Sequence, residues 1–224
     1  MSDDNYKPGL VGQIKDKLIA TKQQWAKDGR LLTGQTSSPA RNRLPPGQRL
    51  VRDWPVLDLG VQPNILLDRW QLTVGGLVGN PVKLTWNDFL DLPQSDSVSD
   101  IHCVTAWSRY DNHWTGVLAS DLLKVVKPKA EARHIVFQSY DGYATNVTLE
   151  MFSASDVLLA HSWEGKPLTR EHGGPVRIIM PQYYLWKSAK WVKHIAFLDR
   201  DAPGYWEVRG YHNTGDPWTE QRYG

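Results

Sequence analysis

The chain has one cysteine, Cys103, in 224 residues. A single thiol excludes an intramolecular disulfide, so nothing in the fold requires an oxidising compartment. It also excludes zinc or iron–sulfur centres built from clustered cysteines, and haem attached through Cys-x-x-Cys-His. Long apolar runs are missing: no window approaches the roughly 18 residues of a membrane-spanning helix. The start, Met1-Ser2-Asp3-Asp4-Asn5-Tyr6, is acidic and polar. With no basic stretch leading into an apolar one and no twin arginine, the chain reads as cytoplasmic, although a mature form that has lost a leader would read the same way. The net charge of +2 gives no ground for nucleic acid or an acidic membrane as partner. The short motifs Gly-x-Gly-x-x-Gly, P-loop, Gly-x-Ser-x-Gly and Cys-x-x-Cys are absent as well.

What is present is an ordinary globular composition, 41% hydrophobic and 22% charged, long enough to bury a substantial core. Eleven tryptophans and nine tyrosines stand against four phenylalanines. Aromatics with a polar atom at one end suit pockets where one edge must hydrogen-bond, and they also suit a β-rich core.

Residues 1–49 read as an N-terminal helix and an extended arm. Leu10, Val11, Ile14, Leu18, Ile19 and Trp25 fit an amphipathic helix over 10–28, stopped by Gly29. Residues 33–49, rich in Gly, Ser, Pro, Arg and Asn, read as the arm, with Arg41 and Arg43 on a solvated loop. Residues 50–224 form the main domain. Strands are expected at Leu57–Val61, Trp70–Val74, Val82–Thr85, Ser97–Val104, His134–Ser139, Tyr143–Leu149, Val157–His161, Val176–Met180 and Trp191–Leu198. Short helices are expected from Thr85 to Leu92, from Gly116 to Val126 and near 150–153, and a turn at Glu164–Pro167. There is no βαβ rhythm, so the fold class is α+β, with mixed β-sheets and short helices.

Three segments concentrate chemistry. The first runs from His102 to Trp114 and brings two histidines, two tryptophans, Arg109, Tyr110 and Asp111 close to the thiol. Isolated cysteines are most often small buried hydrophobes. Here the thiol could also be a nucleophile with His102 or His113 as base and Asp111 behind it, a redox group or a metal ligand. The second segment, His172-Gly173-Gly174-Pro175-Val176-Arg177, combines turn glycines whose amides can face an anion with an arginine entering an apolar strand. Burying that arginine is costly unless something anionic meets it. The third is Tyr183 to Trp191, where Lys187 and Lys190 with Ser188 between them could grip a phosphate and the tryptophans could shield a planar ring.

Taken in order, these segments resemble the molybdopterin-binding domain of the sulfite oxidase family. The match is closer to its bacterial branch, which includes catalytic subunits of periplasmic protein-methionine-sulfoxide reductases. The resemblance spans about Trp54 to Leu198. It is carried by Trp70-Gln71-Leu72-Thr73-Val74-Gly75-Gly76-Leu77-Val78, His102-Cys103-Val104-Thr105-Ala106-Trp107-Ser108, Gly165-Lys166-Pro167-Leu168, His172–Arg177 and Lys187-Ser188-Ala189-Lys190-Trp191-Val192. It implies a molybdopterin cofactor with Cys103 as the protein ligand to molybdenum, in keeping with thiolate preference for soft redox metals. By matched position it implies that Ser139, His172, Arg177, Ser188, Ala189 and Lys190 hold the pterin and its phosphate. His172 stands where close relatives often have asparagine. Arg52 and Asp53 are further candidates just before the first matching strand. His102, Trp107, Arg109, Asp111 and His113 are candidates for tuning the metal.

The implied activity is oxygen-atom transfer to or from a small S- or N-containing substrate. Electrons would pass through a separate partner, since the chain carries no haem-attachment or iron–sulfur motif. The family's arginine-rich sulfite signature after the cysteine is missing, and Trp107, Tyr110 and Trp114 predict an apolar, open mouth. Against the family stand the lack of an export signal, of a cytochrome domain and of chain for a dimerisation domain after Leu198. The residues after Leu198, with Tyr205, Trp206, Tyr211, His212 and Trp218, are expected to cover the core or rim the cleft.

Overall fold

The computed structural model describes residues 16, 17, 19–24 and 43–224. Residues 16, 17 and 19–24 are helical. The rest of the expected 10–28 helix and most of the expected arm, Arg41 included, lie outside the described residues.

The described strands are β1 (Arg49–Leu50), β2 (Gln71–Gly76), β3 (Val82–Thr85), β4 (Ser95–Cys103), β5 (Trp107–Leu118), β6 (His134–Ser139), β7 (Ala144–Thr148), β8 (Leu158–Trp163), β9 (Lys166–Pro167), β10 (Arg177–Ile179) and β11 (Val192–Leu198). The helices are α1 (Trp86–Leu90), α2 (Ala119–Val126) and α3 (Leu149–Phe152). One sheet runs β1-β5-β8-β10, with β4 paired to β5 and β9 to β8; the other runs β3-β2-β11-β6-β7. Parallel pairs (β1–β5, β2–β11) and antiparallel pairs occur in both, the mixed α+β architecture the sequence predicts.

Local chemistry accounts for the elements that hold. Leu72 and Val74 alternate inward along β2. Thr85 caps α1 as a capping box, its hydroxyl accepting from the Asp88 N–H while the Asp88 carboxylate accepts from the Thr85 N–H at 2.8 Å. The core has two parts. One, with Trp70, Phe89, Leu122, Phe137, Phe152 and Phe197, involves β2, β6, β11 and the helices. The other gathers Trp54, Cys103, Trp107, Trp114, Tyr184, Trp186, Trp206 and Tyr211. Leu159 and Ile178 face the first part, Leu158, Ala160 and Ile179 the second. These strands are buried on both faces, which is why they read as continuous apolar runs.

Two expected elements are corrected. Leu57–Val61 is not a strand: the Asp58 carboxylate accepts from the Gly60 N–H and from Gln62 Nε2, both at 2.8 Å, and Gly60 has φ 87°. This local turn competes with ladder pairing, and Val61 stays 55% exposed. The helix expected from Gly116 begins only at Ala119, because β5 continues to Leu118. Gly116 pairs with Ala160 at a register shift in the β5–β8 ladder; a Cβ there would lie 2.1 Å from the Leu159 carbonyl oxygen. Most of β5, from Trp107 to Thr115, was not foreseen as a strand, since its polar residues mask the alternation.

Candidate active site

Cys103 ends β4, directly across from Trp107 at the start of β5. The connection closes through an Ala106 N–H to Cys103 carbonyl bond of 3.1 Å, with Ala106 at φ 66°. The pleat sends neighbouring side chains to opposite faces. Cys103 therefore opens into a cleft while His102 turns away, its Nδ1 2.8 Å from the Ser108 hydroxyl. The Cys103 Sγ lies 3.1 Å from Thr105 Oγ1. Burial pushes the thiol pKa up, while hydrogen bonds from Thr105 and the charges of Arg222 and Lys22 oppose that shift.

The cleft holds about 850 Å³ of empty space, open mouth included. Its walls include Trp54, Leu57, Leu59, Trp107, Tyr143, Trp186, Trp191, Trp206 and Tyr211, and its charged groups are Lys22, Asp58, Asp141, Arg177 and Lys190. Arg177 is 2% exposed and gives Nη1 to the His172 carbonyl at 2.8 Å and Nη2 to the Ser188 carbonyl at 3.0 Å. Burial lowers its pKa to about 9. Burial, with Arg177 beside it, lowers Lys190 to about 7; its Nζ donates to the Glu171 carbonyl at 2.6 Å. The Ser188 hydroxyl accepts from the Met180 N–H at 3.0 Å, which leaves its own proton to give. The buried indole N–H of Trp107 has no partner.

Cys103, Trp107, Arg177, Ser188 and Lys190 thus meet in one cleft, as the sequence reading grouped them. Ala189, Ser139 and His172 are buried but do not line it. Ala189 accepts the Ile178 N–H through its carbonyl. The Ser139 hydroxyl and His172 Nδ1 are buried without partners. The His172 ring stacks on Trp54 at 3.9 Å and 3°, and burial, then the charges of Arg177, Lys190 and Arg109, lowers its pKa to about 3, so it is neutral.

The other candidates lie elsewhere. Burial holds His102 at about 4, neutral on the far face of β4. Arg109 donates to Asn112 and to the Arg52 carbonyl and lies 4.8 Å from the Trp163 ring centre. Asp111 is 63% exposed and paired with Arg43 at 2.7 Å. His113, Arg52 and Asp53 are exposed. Tyr110 lies under Arg43 at 4.4 Å, and Trp114 is buried against Trp54, so neither forms a mouth. Lys187 does not share an anion with Lys190: it is buried 2.6 Å from Glu207. Sequence reasoning missed Lys22, Asp58, Asp141 and Tyr143. Their only signal was chain proximity to aromatics, because loops far apart in sequence bring them together. Trp206 and Tyr211 do line the cleft, as the tail was expected to.

The donor set tests what this cleft can hold. Among the described residues no group of three or more His, Cys, Asp or Glu could bind a metal ion. One thiol, a buried arginine with no carboxylate paired to it among the described residues, a half-buried lysine and unpaired N–H and hydroxyl groups fit an anionic cofactor that brings most of its own metal ligands. That is the site of a cofactor-dependent oxidoreductase.

Residues 59–206 match the oxidoreductase molybdopterin binding domain family. The chain belongs to that family, and is a molybdopterin-binding oxidoreductase. It is similar to the uncharacterized oxidoreductase YuiH of Bacillus subtilis (strain 168), with 43% identity over 187 residues, covering 83% of this chain and 94% of that protein. It is 28% identical over 162 residues to the protein-methionine-sulfoxide reductase catalytic subunit MsrP of Ralstonia nicotianae, covering 65% of this chain and 49% of that one. The sulfane dehydrogenase SoxCD of Paracoccus pantotrophus shares the fold, with TM-score 0.57 and 21% identity over 62% of this chain and 40% of that chain. No helix among the described residues is long and apolar enough to cross a membrane.

Proposed function

We propose that this oxidoreductase binds the molybdenum of its cofactor through the Cys103 thiolate and transfers an oxygen atom to or from a small S- or N-containing substrate. The observation that carries the reading is the cleft itself, with its one thiol, the buried Arg177 and the half-buried Lys190 in the same walls. When bound, the cofactor supplies two-electron oxygen-atom chemistry.

The chain's own groups bind and shield. Arg177 and Lys190 receive the cofactor's anionic end, where Arg177 gains a counter-charge. The Ser188 hydroxyl and the Trp107 N–H donate to polar edges. Trp186, Trp206 and Tyr211 exclude water from one wall, which strengthens every charge interaction inside. Neutral His172 supports Trp54 from behind by stacking. Electrons pass one at a time to or from a separate partner. A cysteine nucleophile is disfavoured: His102 faces away, and Sγ meets the Thr105 hydroxyl, which is not a base.

The test is molybdenum per chain after expression in a host that makes the cofactor, for wild type and Cys103→Ser. It is joined to turnover of sulfoxides, N-oxides and sulfite with a dye donor or acceptor. Metal near zero in wild type, or undiminished metal and turnover in Cys103→Ser, sinks the reading.

A further inference from the structure

Residues from both flanks of the domain hold the turn that carries the thiol. Gln48 is 7% exposed; its Nε2 donates to the Cys103 carbonyl at 3.1 Å, and its Oε1 accepts from the Ser108 hydroxyl at 3.3 Å. Arg222 donates through Nη1 to the next carbonyl, that of Val104. Its guanidinium lies 5.3 Å from the Tyr184 ring centre, its side chain is 13% exposed, and Glu220, half exposed, approaches at 3.7 Å. Both residues fall outside the 59–206 stretch matched by the family.

The consequence is mechanical and electrostatic. The turn 103–106 has one internal main-chain bond, Ala106 N–H to the Cys103 carbonyl, and one side-chain contact, Cys103 Sγ to Thr105 Oγ1. The ladder pairs Cys103 with Trp107 on one side of the turn, and the Cys103 and Val104 carbonyls receive side-chain donors from Gln48 and Arg222, so these two side chains help set the direction of the Cys103 Cα–Cβ bond. A ligand held in its bound direction beforehand needs less reorganisation when metal arrives. Arg222 also leaves a positive charge near the sulfur in a poorly solvated place, where charge acts at longer range than in water.

We propose that Gln48 and Arg222 are positioning residues that fix the Cys103 sulfur for the metal, with Arg222 also raising the metal's reduction potential. This rests on the reading of Cys103 as the metal ligand. The first measurement is the rate of iodoacetamide alkylation of Cys103 in cofactor-free wild type, Arg222→Met, Arg222→Lys and Gln48→Ala. Losing a bond to the turn opens it, so Gln48→Ala, which leaves the charge near the sulfur in place, reacts about fivefold faster, while Arg222→Met also loses the charge that favours the thiolate and is therefore compared with Arg222→Lys, which keeps that charge. A wild-type rate in Gln48→Ala overturns the clamp. If Gln48→Ala does not fold, Arg222→Lys, which keeps the charge and loses the guanidinium geometry, makes the comparison.

The second measurement is the molybdenum midpoint potential in loaded enzyme, read by paramagnetic resonance during a redox titration. Removing a positive charge disfavours the reduced metal, so Arg222→Met shifts the midpoint downward and Arg222→Lys restores it. A merely structural role lowers thermal stability without moving the midpoint, and an unmoved midpoint overturns the electrostatic half. Wild type that binds no molybdenum defeats the reading of Cys103, while the alkylation rates still decide the clamp.

Discussion

The guanidinium of Arg177 lies 5.1 Å from the centre of the Trp54 indole, buried, with one N–H from each of its nitrogens on a main-chain carbonyl, its other donors left to give, and no carboxylate paired with it among the described residues. Indole and carbonyls are weak substitutes for a counter-charge, so burial still lowers its pKa to about 9. Such a cation is an unfilled anion site: the cost of burying it is recovered when an anion enters.

This predicts how the cofactor-free protein responds to pH. Lys190 has a folded pKa of about 7 against 10.5 for the free side chain, so between those values the unfolded chain binds more protons than the folded one. Stability therefore rises with pH from about 7 to about 9; above that Arg177 continues the rise, while Cys103 and the tyrosines Tyr143, Tyr184 and Tyr211, held protonated by burial, oppose it. Urea midpoints across this range should climb in wild type and flatten in Lys190→Met. A wild-type midpoint that falls from pH 7 to 9 contradicts the assignment.

Arg177→Met should separate folding from cofactor binding. The variant loses an uncompensated buried charge but leaves the His172 and Ser188 carbonyls without donors, two effects of opposite sign. Net stability should change by less than about 2 kcal/mol. Molybdenum per chain should fall at least about tenfold, because the missing contact was charge-assisted. Loading equal to wild type removes Arg177 from the anion site.

How much of this was legible beforehand follows residue by residue. The strand at Trp70–Val74 and the α1 cap were readable because their signals are local: alternation, and a Thr85–Asp88 pair. Leu57–Val61 misled because alternation also fits a segment that Asp58 bends by hydrogen-bonding to Gly60 and Gln62. Cys103, Trp107, Arg177, Ser188 and Lys190 were grouped from ordered segments, and they do share a cleft. Which side each side chain takes was not readable. Adjacent His102 and Cys103 part at a strand pleat, and Lys187, in series with Lys190, turns to Glu207. Partners as distant as Gln48, Asp58 and Arg222 are set only by tertiary packing.

The Lys187–Glu207 pair should be a structural support of the cleft wall. The Glu207 Oε1 accepts from Lys187 at 2.6 Å, Thr145 at 2.9 Å and the Trp186 indole N–H at 3.0 Å, all well buried. Glu207→Gln keeps the shape and strands the ammonium, a loss of about 3 kcal/mol and a fall in Tm of roughly 6–12 °C. Lys187→Met combined with Glu207→Gln should lose less than the sum of the two single variants, the sign of direct coupling. Additive losses in the double-mutant cycle would exclude it.

Gly116 and Gly142 distinguish crowding from backbone strain. At Gly116 a Cβ would sit 2.1 Å from the Leu159 carbonyl oxygen and 2.7 Å from the Ala160 Cα, both main-chain atoms of a central strand. Neither can move without breaking the β5–β8 ladder, so Gly116→Ala should cost about 3 kcal/mol or more. Gly142 has φ 86° but nothing within 4 Å of an added Cβ, so Gly142→Ala should cost only the left-handed penalty of about 1–2 kcal/mol. Urea unfolding of the two variants reads the difference directly. Because β5 carries Trp107 at one end and this close approach near the other, Gly116→Ala should also lower molybdenum per chain, whereas Gly142→Ala should leave it unchanged. Equal stability losses in the two variants would mean that the β5–β8 approach is looser than these distances require.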